Sequence, residues 1–203
     1  MTDHESIKFD ICCAARLLYR QGLSVANAGH LSVAVGPDEM LVNHYGPSFA
    51  TLRPENVVRV NFAGKVLEGG AYVNDTIRLH GIIHRENPGA VAVAHTHPAA
   101  VVTLSALRER PVVILPNHGA ITTGENIQLA FVRMVLLEGM ARRTLAVAQA
   151  ARDLGREPVA IAPAAARRAK AEIGRMPVLP LLWQDFLQQL RRSDPDLFEG
   201  REN

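Results

Sequence analysis

Two histidines in the segment His95-Thr96-His97 have the spacing of a metal-binding pair. They lie at the end of a short apolar run, AVAVAH, which predicts a buried strand. Alternate side chains of a strand lie on the same face, so both imidazoles should project side by side where the strand ends. A catalytic zinc site uses about three protein ligands and leaves one position for water or substrate. The pair therefore indicates part of a metal site, with incidental surface histidines as the alternative.

A third histidine follows another apolar run. His118 comes after PVVILPN and immediately before Gly119. If these two strands are adjacent and end at one edge of a sheet, the loop that carries His118 lies near His95 and His97. We predict that these three histidines bind one divalent metal ion, Zn, Mn or Fe, because imidazole suits each of them. The predicted task of the ion is to polarise a small carbonyl- or carboxylate-bearing substrate.

His80 and His84 form a rival pair. They are four residues apart on a predicted helix and share one face of it. The segment reads His-Gly-Ile-Ile-His and lacks the glutamate of the HExxH metalloprotease motif. We therefore predict that both residues support the pocket, with a hydrogen bond from His80 to a ligand residue as a further option.

Candidates for acid–base catalysis are chosen by their position in the neighbouring segments. They are Asp75, Tyr45 and Glu125. Asp75 precedes a predicted helix, where an N-cap role is the commoner one. Tyr45 lies in the loop His-Tyr-Gly-Pro, and its hydroxyl could protonate an intermediate, with a packed loop aromatic as the alternative. Arg78 and His30 are candidates for binding a substrate carboxylate.

Periodicity and turn signals predict the elements that would position these residues. The chain begins with a predicted helix over 5–21 and two hairpins, formed by LSVAV with MLVNH and by VVRVNF with KVLEG. Next come a helix capped by Asn74 or Asp75 that ends near Arg85, the strand AVAVAH, the helix AAVVTLSAL, and the strands PVVILPNHG and AITTG. A helix over about 126–154 and helical pieces near 164–173 and 181–190 follow. This order predicts one layered α/β or α+β domain over residues 1–203, with an antiparallel or mixed sheet and a helical tail from about residue 155.

Composition narrows the function classes. The chain has 203 residues, of which 48% are hydrophobic and 21% charged, as in ordinary globular proteins. A net charge of +2 is too small to favour nucleic acid or an anionic membrane as a partner. No segment has the pattern of a signal peptide or a membrane span, and the adjacent Cys12 and Cys13 exclude a disulfide framework. We expect a cytoplasmic protein that takes a small-molecule substrate.

The order of five segments resembles the class II aldolase and adducin head-domain family. The segments are AGHLSV, LVNHYG, VNDTIRLH, AHTHP and LPNHGAITTGENIQLAF, and the resemblance spans about Ser6 to Arg143. It implies a single-domain, three-layer α/β/α fold with a central, mostly antiparallel sheet. It also implies metal binding by His95, His97 and His118, and a C4-symmetric homotetramer with sites at the subunit interfaces.

Two segments differ from the sugar-phosphate aldolases of that family. Those enzymes have a Gly-Asn-x-Ser loop and a Ser-Ser-Glu segment, which hold the phosphate and handle the proton. Here the segments read Gly-His-Leu-Ser, with His30, and Asn-Asp-Thr, with Thr76 in the position of the glutamate. The resemblance therefore points away from a phosphorylated sugar. We predict that His30, Thr76 and Arg78 contact the substrate.

VNHYG and the VN…LH segment look more like the adducin-like branch, which includes metal-dependent decarboxylases of hydroxylated aromatic acids and a few iron-dependent oxygenases. The stretch from His97 to His118 is short for the family. Decarboxylation needs no base for the bond-breaking step, because the departing carbon dioxide leaves the electron pair behind. We therefore predict a metal-dependent carbon–carbon lyase of the decarboxylase or aldolase type. The alternatives are a non-catalytic adducin-like scaffold and an iron-dependent oxygenase at the same triad.

Overall fold

The computed structural model describes residues 4–70, 72–106, 114–115, 118–173 and 178–200. The helices are α1 (His4–Arg20), α2 (Ile77–Glu86), α3 (Ala99–Ala106), α4 (Ile127–Asp153), α5 (Pro163–Ile173) and α6 (Val178–Ser193). The strands are β1 (His30–Gly36), β2 (Glu39–Asn43), β3 (Val57–Asn61), β4 (Val66–Glu68), β5 (Ala92–Thr96), β6 (Ile114–Leu115) and β7 (Gly119–Gly124). Within these ranges, every helix is too short or too polar to cross a bilayer.

The seven strands form one sheet in the order β4-β3-β2-β1-β5-β7-β6. Each neighbouring pair is antiparallel, so the predicted antiparallel character of the sheet is confirmed. Both predicted hairpins form, as β1 with β2 and β3 with β4. The sheet thereby aligns the start of β1, the end of β5 and the start of β7 along one edge.

Helices cover both faces of the sheet, which makes the predicted three-layer arrangement. On one face, Leu31 and Val33 of β1 belong to a large apolar core with residues of α1 and α4. On the other face, Val58 and Val60 of β3 pack in a smaller core with Ile77 of α2. The strands alternate between these cores because successive side chains of a strand point to opposite faces.

Two local predictions are wrong. β6 was expected to lie beside β5, but β7 lies between them and pairs with both. Helix α2 was expected to be capped by Asn74 or Asp75, but it begins at Ile77 with Thr76 as N-cap and no side-chain cap. Asn74 instead accepts a hydrogen bond at Oδ1 from the backbone amide of Thr76, at 3.0 Å. This short local bond forms a turn that precedes the helix, so the helix starts later.

The segment predicted as a helical tail packs into the large core. The Trp183 and Phe186 rings of α6 meet the Phe131 ring of α4 edge to face, with centroids 5.6 and 5.2 Å apart. Leu190 and Leu197 are buried. Aromatic rings bury large areas and stabilise such contacts beyond their area alone. The end of the described chain is therefore part of the fold and not an appendage.

A buried arginine joins α1 to this C-terminal segment. Arg16 is 2% exposed, and its guanidinium donates to both carboxylate oxygens of Asp196 at 2.9 and 3.0 Å. It also donates to the Leu52 carbonyl at 3.1 Å and pairs with Asp194 at 3.4 Å. The Arg16 hydrogen bond holds the pKa of Asp196 below its ordinary value. One side chain therefore links three segments that are far apart in the sequence.

We expect Arg16→Ala to lower the free energy of unfolding by about 3 kcal/mol, because a buried ion pair that loses one partner leaves an uncompensated charge. Urea denaturation measures this. The matched control is Arg59→Ala, which breaks ion pairs with Glu39 and Glu68 on a partly exposed part of the sheet. Its loss should be much smaller, because exposed pairs contribute little. Equal losses from the two variants would contradict the buried role of Arg16.

Candidate metal centre

The aligned strand ends bring the predicted histidines to one edge of the sheet. His30 opens β1 and lies opposite His95 of β5, and Thr96 lies opposite Ala120 of β7. His118 immediately precedes β7, so the antiparallel pairing of β5 with β7 carries it back to the end of β5. The predicted neighbourhood is therefore present, although the strand beside β5 is β7 and not β6 as the sequence suggested.

His95, His97 and His118 form a compact cluster. Their ligand nitrogens all lie within 4.8 Å of one another. The rings of His95 and His118 stack with centroids 5.3 Å apart, and the His97 ring lies edge-on to both. His95 is buried, His97 is half-buried and His118 is exposed. The cluster is thus closed on the protein side and open on the side of His118.

The spacing of the cluster fits one metal ion. Nε2 of His97 and Nε2 of His118 are 3.3 Å apart. Two nitrogens bound to one tetrahedral zinc ion at about 2.0–2.1 Å are separated by roughly 3.3–3.4 Å. The distance between the two Nε2 atoms therefore already matches that of two ligands on the same ion. Three imidazoles with one open side can hold a divalent metal and leave a position for a ligand.

The His95 ring is held in one tautomer by the backbone. Its Nδ1 lies 3.1 Å from the Ala120 carbonyl oxygen, which can only accept a hydrogen bond. Nδ1 therefore carries the proton, and the lone pair is left on Nε2. A backbone carbonyl that orients a ligating histidine in this way is common in metal sites.

His30 and Thr76 adjoin the cluster. The His30 ring stacks on His95 with centroids 6.0 Å apart, and its Nδ1 lies 3.4 Å from the Thr76 hydroxyl oxygen. Thr76 itself donates to Asn74 Oδ1 at 2.9 Å, so its oxygen is free to accept from His30. His30 is 8% exposed. Two of the three residues predicted to contact substrate therefore lie side by side next to the triad.

Behind His30, a buried hydrogen-bond chain joins α2 to β1. His84 Nδ1 lies 2.7 Å from the Ala90 carbonyl, so it donates there and its Nε2 accepts from the Ser32 hydroxyl at 2.8 Å. Ser32 in turn accepts from Nδ1 of His80 at 2.8 Å. His80 meets the His30 ring edge to face at 6.1 Å. The rival histidine pair is therefore bound through Ser32, which fits the predicted supporting role, and no hydrogen bond joins His80 to the triad in the described structure.

Burial keeps these imidazoles neutral. It lowers the pKa of His30 and of His95 to about 4, aided for each by the nearby charge of His97. The pKa of His80 also falls well below its ordinary value, because the ring is buried among other histidines. The pKa of His97 is lowered by burial and then by His118. A neutral imidazole is the form that binds a metal, so His95 and His97 need no proton release at neutral pH.

We expect the metal-free protein to lose stability as the pH falls from about 6.5 towards 4. The folded pKa values of His30 and His95 lie below the unfolded value of about 6.5, so the unfolded chain binds more protons in this range. Stability is full above pH 6.5 and falls below it, by about 1.4 kcal/mol per pH unit for each neutral histidine. Urea denaturation in EDTA at pH 7 and pH 5 measures the slope. His30→Asn should reduce it, and an unchanged free energy between the two pH values would contradict the buried, neutral cluster.

The other predicted residues lie less directly at the triad. Tyr45 follows the end of β2 at the same sheet edge, where its ring packs against Tyr72. Asp75 is exposed and its carboxylate pairs with Arg78 at 3.8 Å. Within the described chain, none of these three side chains bonds to a triad imidazole. Glu125 follows the end of β7 that lies away from His118.

Sequence reasoning missed two residues that shape the centre. Ser32 is a buried hydroxyl between two histidines, and only its polar type on the apolar strand β1 could have drawn attention to it. Gly119 lies so close to the cluster that a Cβ on it would stand 2.5 Å from the Thr96 carbonyl oxygen and 2.6 Å from Cδ2 of His97. A glycine directly after a candidate ligand is the signal that could have indicated this close approach.

A solved structure shares this fold, and two relatives share part of the sequence. A solved aldolase II superfamily protein from Pseudomonas syringae superposes with a TM-score of 0.84 at 21% identity, over 97% of this chain and 96% of that one. A 3,4-dihydroxyphthalate decarboxylase of Rhodococcus jostii (strain RHA1) is 25% identical over 73% of this chain and 83% of its own length. A methylthioribulose-1-phosphate dehydratase of Methylococcus capsulatus (strain ATCC 33009 / NCIMB 11132 / Bath) is 31% identical over 56% of this chain and 55% of its own length.

The family assignment rests on a match over most of the chain. The family model described as the class II aldolase and adducin N-terminal domain matches residues 9–111 and 105–145, which include β1 to β7 and all three histidines of the cluster. The match does not single out the adducin-like branch. Together with the layered antiparallel sheet, it shows that the chain belongs to the class II aldolase and adducin N-terminal domain family.

Proposed function

We propose that this protein is a metal-dependent carbon–carbon lyase of the decarboxylase type that acts on a small, non-phosphorylated hydroxy or oxo acid. The observation that carries the proposal is the cluster of His95, His97 and His118, whose ligand atoms lie within 4.8 Å and whose open side faces solvent. When bound there, a divalent metal ion supplies positive charge that stabilises negative charge developing on a substrate oxygen.

The side chains around the cluster favour decarboxylation over aldol cleavage. Aldol cleavage requires a base to remove a hydroxyl proton, and a carboxylate is a common choice. Among the described residues, the candidate metal group contains three histidines and no Asp or Glu. The side chain beside His30 is the hydroxyl of Thr76, which cannot serve as a carboxylate base. In decarboxylation the carboxyl carbon leaves as carbon dioxide, and the bonding pair stays on the neighbouring carbon without a base.

The chain's own residues have separate tasks in this proposal. His95, His97 and His118 hold the metal, and the Ala120 carbonyl keeps the His95 lone pair on Nε2. His30 and Thr76 border the substrate. The carbanion left by carbon dioxide then takes a proton at carbon, and we propose the Tyr45 hydroxyl as the donor, because it is exposed in a segment that adjoins this sheet edge. Arg78, next to Asp75, is the proposed partner of a substrate carboxylate.

The relatives support the reaction class. The Rhodococcus relative is named a decarboxylase of a dihydroxylated aromatic diacid, and the Methylococcus relative is named a dehydratase of a phosphorylated sugar. Both names describe lyases. We favour the decarboxylase because its match extends over a larger share of both chains and because the residues beside the cluster are His30 and Thr76.

The test is a panel assay on metal-free and metal-loaded protein. Purified protein is stripped with a chelator, reloaded with Zn²⁺, Mn²⁺ or Fe²⁺, and assayed for carbon dioxide release from hydroxylated aromatic and aliphatic acids. We expect release from a non-phosphorylated acid only after reloading. Turnover that persists after complete metal removal, or cleavage of phosphorylated sugars alone, would contradict the proposal.

We also propose a cytoplasmic homotetramer. Large apolar side chains of α4 are exposed in the single chain, among them Leu136 at 39%, Met140 at 54% and Val147 at 53%. Contiguous exposed apolar surface commonly marks a contact between proteins. Light scattering of the purified protein at several concentrations measures the assembly. A mass of one chain at all concentrations would contradict the tetramer.

A further inference from the structure

A buried glutamate on α4 contacts the backbone immediately beyond the triad. Glu138 is 2% exposed, and its two carboxylate oxygens accept hydrogen bonds from the amides of Ala100 at 3.2 Å and Val101 at 3.1 Å. Arg142, one turn further along α4, donates to the same carboxylate at 2.8 Å. Both acceptor oxygens are therefore directed at the first turn of α3.

The first turn of α3 needs such a partner. The first four amides of a helix have no acceptor within the helix, and a negative charge near them is favourable. The carboxylate of Glu138 supplies two acceptors and a charge from a different helix, so it fixes where α3 begins.

Only two residues separate this anchored turn from β5, the strand that carries His95. β5 ends at Thr96 and α3 begins at Ala99, so the connection consists of His97 and Pro98. On the strand side, Thr96 is paired with Ala120 of β7. The main chain of His97 is thus held between the sheet on one side and the Glu138 carboxylate on the other. His95 differs, because it lies inside β5 and is held by the ladder itself.

We propose that Glu138 is a positioning residue for His97, which keeps that imidazole at the distance from His118 that a shared metal ion requires. The inference rests on the proposed metal site but not on the reaction assigned to it. Without the carboxylate, the first turn of α3 would lose two hydrogen bonds and His97 would gain freedom, while His95 and His118 would keep their places. The expected result is weaker metal binding in a protein that still folds.

The test titrates metal-free protein with Co²⁺, follows the visible absorption of the bound ion, and obtains Zn²⁺ affinity by competition with a chelator. Glu138→Gln keeps the size of the side chain and one acceptor oxygen, and Glu138→Ala removes both acceptors. We expect Glu138→Ala to lower metal affinity at least about tenfold, the scale seen when a group that orients a ligand is lost. Glu138→Gln should fall between Glu138→Ala and the unchanged protein, and the Co²⁺ spectrum should shift in both variants.

Two controls separate positioning from a general loss of structure. Arg142→Ala removes a largely exposed guanidinium, while the buried Glu138 carboxylate still accepts from the Ala100 and Val101 amides, so it should change metal affinity by much less than Glu138→Ala. Hydrogen exchange of the Ala100 and Val101 amides in metal-free protein should accelerate in Glu138→Ala and stay slow in Arg142→Ala. This readout depends neither on metal nor on activity.

A double variant gives the decisive comparison. In a His97→Ala background, Zn²⁺ binds only weakly through His95 and His118, and Glu138→Ala should leave that residual affinity unchanged, because the residue that it positions is gone. An equal loss in both backgrounds, or unchanged affinity and Co²⁺ spectrum in Glu138→Ala and Glu138→Gln, would overturn the inference. If the unchanged protein binds metal but releases no carbon dioxide, only the proposed decarboxylase reaction is contradicted. If the unchanged protein takes up neither Co²⁺ nor Zn²⁺, the proposed function and the role of Glu138 are both overturned.

Discussion

His97→Ala should abolish tight metal binding and the metal-dependent turnover with it. The substitution removes one of three imidazoles and leaves Nε2 of His118 without the neighbour that lies 3.3 Å away. Loss of a group that only orients a ligand costs roughly 10- to 100-fold in affinity, so removal of the ligand itself should cost more. Chelator competition with Zn²⁺ measures the affinity.

The matched control for this variant is His44→Ala. His44 lies in a loop beyond β2, where its ring nitrogens contact the Tyr45 carbonyl and the Asn56 amide. It shares residue type and partial exposure with His97 but lies outside the metal-binding group. Affinity should be unchanged in this control. Equal affinities of His97→Ala and the unchanged protein would mean that His97 is not a ligand.

Gly119→Ala should disturb the same centre through the backbone. A methyl group at this position would stand 2.5 Å from the Thr96 carbonyl oxygen and 3.0 Å from Cε1 of His95. Because the first of these is main chain in the paired strand, relief requires β5 and β7 to move apart, which displaces the histidines. We expect a loss of about 1–3 kcal/mol in the free energy of unfolding, as for overpacked sites, and at least about a tenfold loss of metal affinity.

Gly36→Ala provides the comparison for this variant. Gly36 is likewise a terminal residue of a paired strand, but a Cβ there would meet only the Glu39 side chain, at an ordinary 3.5 Å. Stability and metal affinity should both change little. If Gly119→Ala behaved like Gly36→Ala in both measurements, the close packing of β7 against the triad could not be what shapes the site.

Some of this site could be predicted from local sequence alone. The alternation of His95 and His97 on an apolar run, and the Gly119 that follows His118, are short-range signals that indicate ligands and a close approach. The strand pairing could not be predicted in the same way. The sequence indicated PVVILPNHG as the neighbour of β5, with AITTG beyond it, but AITTG lies between the two, because periodicity does not say which strand lies beside which.

The long-range polar contacts could not be predicted from local sequence patterns either. Glu138 reaches the amide of Ala100 across 38 positions, and Arg16 reaches Asp194 across 178. Each of these residues has the sequence context of an ordinary charged residue on an amphipathic helix. Their burial becomes visible only once α4 packs on α3 and the C-terminal segment packs on α1. The spacing of His80 and His84 did predict a shared helix face, but their common partner, Ser32, comes from a distant strand.

The most direct test of the central claim is X-ray absorption spectroscopy of protein loaded with one equivalent of Zn²⁺. We expect three imidazole nitrogens at about 2.0–2.1 Å and one further light-atom ligand, since three histidines meet here with an open side. This signal should be reduced to two imidazoles or lost in His97→Ala. A spectrum with fewer than three imidazoles in the unchanged protein, or no uptake of zinc, would contradict the account.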